Sequence, residues 1–352
     1  MLSLFQIKGT RIFFCMNFNE IDLDKTLFVE HCDVDGLMPY ILNKFFDINY
    51  VKSISTNYGE DLELESVQSG MYDSIIYTDF TPSETVRKVI EEKQMEVVIF
   101  DHHVAVKDEI DEWCKSYKKV EYMFDNERCG TKIYYDWLVE NGFKNKTNSV
   151  VEHIVRLTDT YDLYKQESDL WNEAFKLNTL MYCTGKYWEK DDRLKCFQFF
   201  INNILWKMQN ADNFFFNSLE ESKINADIAK ANRLFEDLIK NASKEISTRK
   251  DSRGFYFAVF HCNSKVSDVC NKILKKYKKL SYVLCINDYD KDNPKISLRS
   301  IDDFDLTELN YAKGHKNASG VSPSEVDDMK EFVRKVESKE IYELGYRGFS
   351  KS

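Results

Sequence analysis

Apolar and polar positions alternate along the first 165 residues in blocks of two kinds. Thr26 to Glu30 (TLFVE), Tyr50 to Thr56, Ser74 to Thr78 (SIIYT), Val97 to Phe100 (VVIF) and Val120 to Phe124 have the length and β-branched content of buried strands. Between and after them the apolar residues recur at helical spacing: Leu37 to Phe46, a stretch opened by Pro82-Ser83-Glu84 and running to about Lys93, Gly130 to Val139, and Val150 to Leu157. Short strands alternating with helices predict a mostly parallel, doubly wound α/β sheet over residues 1–165. From Leu170 to about Ser243 the pattern is helical and rich in Trp, Phe and Asn, which predicts a helical connector or insertion over 166–250. A smaller C-terminal α/β domain is expected over 251–352, with strands at Phe255 to His261, Ser281 to Asn287 and Lys295 to Arg299 and a helix at Ser267 to Tyr277. The turn-rich NDYDKDNP predicts a hairpin between the last two of these strands.

Charge narrows the function classes. A net charge of −10 argues against a broad grip on duplex DNA, which depends on many Lys and Arg contacts to phosphate. A nucleic-acid substrate is then expected to be short and held locally. The nine cysteines form no CxxC pair and no regular framework, the pattern of a reducing compartment rather than of disulfides or a zinc ribbon. No stretch approaches the ~20 apolar residues needed to span a bilayer, and the N-terminal region lacks an apolar core of signal length, so a cytoplasmic protein without membrane association is expected.

The chemistry gathers at strand ends, where open α/β sheets hold their ligands. His31, Asp33 and Asp35 follow the first strand, Asp79 the third, Asp101, His102 and His103 the fourth, and Asp159 ends the helix after Val150. An aspartate just past a strand is commonly only the cap of the next helix. Three of the six histidines, however, fall beside carboxylates at two predicted parallel strand ends. Imidazole with carboxylate suits Mn²⁺ or a similar borderline cation, whereas an all-oxygen set suits Mg²⁺. Cys32, between two of these residues on a strand, should point to the opposite side and into the core.

HCDVDG at 31 to 36, Asp79, DHH at 101 to 103 and Asp159 in TDTYDLY stand in an order that resembles the four motifs of the DHH phosphoesterase superfamily. SLRS at 297 to 300 and GHKNASG at 314 to 320 resemble the DHH-associated C-terminal domain, although Tyr311-Ala312-Lys313 stand where the family carries glycines. Lys313 and Lys316 offer charge in their place. The resemblance implies that His31 and Asp33 bind one metal, that Asp35, His102 and Asp159 bind a second, and that Asp79 bridges the two. Asp162, one helical turn after Asp159, is the alternative ligand. Asp101 would orient His102, and His103 would face the substrate phosphate. Arg299, Gly314, His315, Lys316, Asn317, Ser319 and Gly320 would contact phosphate or base, with Arg299 and His315 counted with Asp101 and His103 as catalytic.

Two cations about 3.5–4 Å apart can activate water and offset phosphoryl charge during in-line attack. The expectation is therefore a phosphodiesterase or phosphatase that uses two Mn²⁺ ions, with Mg²⁺ or Co²⁺ as substitutes, on short oligonucleotides or small nucleotides. The oligomeric state is open, and a homodimer is compatible with the sequence. The likeness is to the nanoRNase type. The competing readings are a RecJ-type single-strand exonuclease, a cyclic-dinucleotide phosphodiesterase, and a non-catalytic nucleotide-binding or scaffold protein.

Overall fold

The computed structural model describes residues 21–58, 60–184, 193–240, 246–289, 294–301, 304–314, 316–321 and 328–340. The chain divides into two compact units, one of residues 1–102 and 109–215, the other of 103–108 and 216–352.

In the first unit, strands β1 (Thr26–His31), β2 (Lys52–Thr56), β3 (Ser74–Thr78), β4 (Glu96–Asp101) and β5 (Val120–Phe124) form a sheet of order β2-β1-β3-β4-β5. Every pairing is parallel. The helices are α1 (Val34–Phe45), α2 (Leu62–Ser69), α3 (Glu84–Lys93), α4 (Val104–Ser116, of which residues 104–108 count with the second unit), α5 (Gly130–Glu140) and α6 (Ser149–Asp162). The strand order reverses after β2. Right-handed crossovers then place α1 on one face of the sheet and α2 and α3 on the other, as a doubly wound sheet requires. Contacts agree, since α1 meets α5 and α6 while α2 meets α3. The interior strands β1 and β3 are buried almost throughout, and the edge strands β2 and β5 only in part.

The expected connector is not a body of its own. Helices α7 (Trp171–Thr184), α8 (Arg193–Cys196) and α9 (Gln198–Asn210) belong to the first unit, where α7 lies on α6 and α9 on α1. Helix α10 (Ser218–Lys240) belongs to the second unit and packs on α11 (Val266–Lys276). The division between the two units falls at 215/216, inside the stretch expected as a connector, because its helices pack on different neighbours. Among the described residues no helix is long and apolar enough to cross a membrane.

The second unit holds β6 (Ser247–Lys250), β7 (Tyr256–His261), β8 (Leu280–Asn287), β9 (Lys295–Ser300), β10 (Ala312–Gly314) and β11 (Ala318–Val321), in the order β10-β11-β9-β8-β7-β6. Only β7 and β8 run parallel, joined through α11, and β8 and β9 form the expected antiparallel pair. Helix α12 (Met329–Glu337) covers one face with Phe332, Val333 and Val336, against a stack of Phe257, Tyr282 and Phe304. Val269, Cys270 and Ile273 of α11 cover the other.

One close approach ties the first unit together at its chemical end. A Cβ on Gly36, in the first turn of α1, would stand 2.2 Å from the carbonyl oxygen of His31, so only glycine lets the helix start this close to the end of β1. Gly36→Ala is expected to lower stability by ~1–3 kcal/mol or more through overpacking, read as a lower urea midpoint. An unchanged midpoint would contradict this packing.

Candidate metal centre

The carboxyl ends of β1, β3 and β4 lie side by side because the order β2-β1-β3-β4 puts them there, with the reversal of strand order between β1 and β3. Each end turns a polar side chain into the same small volume. Asp79, immediately after β3, takes a left-handed conformation (φ 54°), and its N–H donates to the carbonyl of Phe100 at 2.8 Å. A Cβ on Gly130 would lie 2.9 Å from the Cβ and backbone nitrogen of Asp79, so the start of α5 reaches this turn only with glycine there.

Asp79 spans two groups of possible ligands. Its Oδ2 lies 3.3 Å from His31 Nδ1, and its Oδ1 lies 3.2 Å from His102 Nε2. Around His31 stand Asp33 Oδ2 at 2.8 Å and Asp79; around His102 stand Asp162 Oδ2 at 3.1 Å and Asp35 Oδ2 at 3.8 Å. Three clusters have ligand atoms within 4.8 Å of one another: His31, Asp33 and Asp79; Asp35, His102 and Asp162; and Asp79, His102 and His103. Two of the carboxylates have second duties. Asp33 Oδ1 caps α1 by accepting from Gly36 N at 2.9 Å. Asp35 accepts from Gly130 N at 2.7 Å and Thr131 N at 2.8 Å, donors that the first turn of α5 leaves without helical partners.

Asp162, not Asp159, stands beside His102. The sequence predicts a helix ending at Leu157, but α6 continues through Asp162 and carries that residue to the sheet edge. The Asp159 carboxylate is engaged elsewhere, accepting from Cys129 N at 3.0 Å and pairing with Lys165 at 2.6 Å. Cys32 is buried as expected, although it lies in the bend just after β1 and not on the strand. Asp101 is fully buried at the end of β4, and the Tyr122 hydroxyl lies 3.4 Å from its Oδ2. His103 sits between β4 and α4 and is partly exposed.

In the second unit the expected phosphate loop is mostly hairpin. Gly314 and Gly320 lie in β10 and β11, paired with Ser319 and Lys313, because the alternation in ASGV lets this segment extend the sheet beyond β9. Ser319 is buried, and Asn317 Nδ2 donates to Ser300 Oγ at 3.1 Å and to the Ile301 carbonyl at 3.0 Å. Lys316 is exposed. Arg299 donates to Ser267 Oγ and to its neighbour's carbonyl, Leu298 O, both at 2.7 Å. His315 lies outside the described residues.

Asn57, which follows β2, carried no signal in the sequence. The register of β1 with β2 pairs His31 with Thr56, which brings the next residue up to the imidazole. Asn57 Oδ1 lies 3.2 Å from His31 Nε2 and also accepts the Tyr58 N–H at 2.9 Å. A backbone donor on that atom identifies it as the oxygen, so Nε2 carries a proton toward Asn57 while Nδ1 is aimed at Asp33 and Asp79.

The electrostatics are those of a cation site. Burial raises the Asp35 carboxyl to about 7, and repulsion from Asp79 adds to this. Asp162 is pushed well above the usual carboxylate range, first by burial and then, against the attraction of His102, by Asp35 and Asp79. Burial pulls both imidazoles down, but the carboxylates outweigh it: Asp33 and Asp79 hold His31, and Asp162, Asp79 and Asp35 hold His102, well above the ordinary value. Asp162 Oδ2 is buried without an aligned hydrogen-bond donor. Two imidazoles and four carboxylates crowded this way fit a divalent cation of borderline softness.

No family model matches the chain. A curated relative, the oligoribonuclease NrnB of Bacillus subtilis (strain 168), is 25% identical over 306 residues, which span 83% of this chain and 71% of that protein. Among solved structures, the DHH domain of a protein described as a member of a ribosomal-protein family aligns with a TM-score of 0.61 at 13% identity, covering 91% of this chain and 87% of that one. RecJ of Thermus thermophilus, solved in complex with Mn²⁺, aligns with a TM-score of 0.54 at 13% identity, covering 89% of this chain and 51% of RecJ. These structural likenesses establish a shared fold.

Two predictions come from this geometry. Asp162→Asn should weaken Mn²⁺ binding measured by calorimetry at least about tenfold, whereas Asp159→Asn should change it less than about threefold; the reverse ranking would return the ligand role to Asp159. The groups with raised pKa values also set a pH dependence. A carboxylate or imidazole with a raised folded-state pKa contributes stability that is complete below its unfolded value and is lost as pH rises through the folded one. Metal-free protein should therefore lose stability as pH rises from about 4 to about 7, the window set by Asp35, and added Mn²⁺ should raise Tm more at pH 8 than at pH 5. A metal-free Tm that climbs across that window would contradict the assignment.

Proposed function

We propose that the chain is a DHH-superfamily phosphoesterase, a hydrolase of phosphate ester bonds, and that it is a two-metal, manganese-dependent enzyme acting on short oligonucleotides or small nucleotides. The observation that carries this reading is Asp79, whose two oxygens face His31 and His102 and join two ligand clusters into one centre. His31, Asp33 and Asp79 would hold one cation, and Asp35, His102, Asp162 and Asp79 the other. When bound, the pair would polarise water and offset charge on the phosphoryl group during in-line attack.

The chain's own residues supply the rest. Asn57 keeps Nδ1 of His31 aimed at the metal position, and the start of α5 holds Asp35 with two backbone donors. In this reading Asp101 supports His102 from below, and His103 meets the substrate phosphate. Within the second unit, Arg299 has a planar fork and Lys316 an exposed charge, the chemistry that suits a phosphate group. His315 is assigned to the same task. Ser319, buried, and Asn317, bonded to β9 and the residue after it, serve the hairpin instead.

The overall charge of −10 supports a short, locally bound substrate over duplex DNA. The curated relative, an oligoribonuclease, favours short RNA among the substrate classes. Free cysteines throughout the described residues suit a reducing compartment, and we place the enzyme in the cytoplasm.

With Mn²⁺, purified protein should release mononucleotides from a dinucleotide and act more slowly on strands of ten or more residues. Folded, manganese-loaded protein that leaves a dinucleotide intact would refute this reading, and a preference for long strands would point to a RecJ-like exonuclease. His103→Ala should keep both manganese-binding events while kcat falls ~100-fold or more, the loss expected when a positioned histidine at the reacting group is removed. Loss of metal binding in this variant would instead make His103 a ligand.

A further inference from the structure

We propose that Tyr58 is the nucleobase platform of this centre, and that it makes the enzyme choose substrates carrying a base over simple phosphodiesters. The inference rests on the phosphoesterase reading and adds to it a determinant of substrate class. Tyr58 follows Asn57 in the turn after β2 and so stands where the ends of β1 and β2 meet. Its ring lies over Phe80, with centroids 4.5 Å apart and planes inclined by 27°, and 5.7 Å from the His31 imidazole. Phe80 is 3% exposed and immediately follows the bridging Asp79, whereas Tyr58 is 47% exposed. A hydrogen bond to Thr81 holds the hydroxyl end of the ring.

These facts together describe a ring with one face backed by a buried aromatic, one end tethered, and much of its remaining surface open next to a phosphate-directed cation site. Large exposed aromatics lose free energy in water, and a ring fixed this way gives little back in side-chain entropy when a ligand covers it. Burial accounts for Phe80, which also stacks on Tyr77 and His31, but not for a tyrosine left 47% exposed above it. A flat, π-faced group linked to the phosphate being attacked does, because each base presents such a face and stacking is tolerant of sequence. The platform therefore selects for a base without reading which one. The adjoining Asn57 is already committed to His31 and to the Tyr58 N–H, so the turn places the ring and the metal ligand as one piece.

The test compares Tyr58→Ala, Tyr58→Phe and wild type on two substrates with Mn²⁺: a dinucleotide, and the same phosphodiester with the base nearest the reacting phosphate removed. Tyr58→Ala is expected to raise KM for the dinucleotide about tenfold, to leave KM for the abasic substrate within about twofold, and to leave Mn²⁺ affinity by calorimetry unchanged. Tyr58→Phe, which keeps the ring and loses the hydroxyl, should stay within about threefold of wild type on both. An equal loss on both substrates, or weakened Mn²⁺ binding in Tyr58→Ala, would overturn the proposal and make the ring a support of His31. No difference on either substrate would overturn it as well. Wild-type protein inactive on the dinucleotide would instead count against the phosphoesterase reading, which separates the two failures.

Discussion

Repulsion among Asp33, Asp35, Asp79 and Asp162 is the constraint on which the first unit depends. Their oxygens crowd around two imidazoles at one edge of a parallel sheet, largely shielded from water. Burial first, and repulsion from neighbouring carboxylates second, make Asp35 and Asp162 hold protons more tightly than usual, and the same carboxylates do so for His31 and His102. Much of the neighbouring architecture serves to hold these groups where they repel one another. Gly36 lets α1 begin against His31, Gly130 lets α5 begin against Asp79, and the first N–H groups of α5 neutralise part of the charge on Asp35. Fold stability and metal chemistry are thus linked at the same few residues.

The strands and their order of use were legible because the sheet is mostly buried. Runs such as SIIYT and VVIF are buried and carry no charged residue, so the change to Asp79 and to Asp101-His102 marks the strand end directly. What could not be read depends on distances in sequence. The choice between Asp159 and Asp162 turns on whether α6 continues for one more turn and on the need of Cys129, thirty residues earlier, for a carboxylate to accept its N–H. Neither fact has a local signature. Asn57 is an ordinary turn residue until the pairing of β1 with β2 is known, and only then does its closeness to His31 follow. A sequence reading that had committed to the strand order could have found it.

The second unit shows a different limit. GHKNASG reads as a flexible polar loop, yet the small residues Ala318 and Ser319 let it join the sheet through β11, with Asn317 stitching the turn to Ser300 and Ile301. Short polar strands such as STRK at β6, and amphipathic α12 after the last motif, were invisible for a related reason: their apolar positions are few, and their pairing partners or packing faces supply the signal that they lack. The stretch expected to be helical is helical, but composition does not say to which core each amphipathic helix belongs.

The central claim is that one carboxylate, Asp79, couples two cation positions. Calorimetric titration of folded Asp79→Asn with Mn²⁺, beside the unmodified protein, tests it most directly. Two binding events are expected in the unmodified protein, and both should weaken at least about tenfold on this single substitution. One event persisting at its original affinity, or both persisting, would contradict a shared ligand and with it a two-metal centre built on this residue.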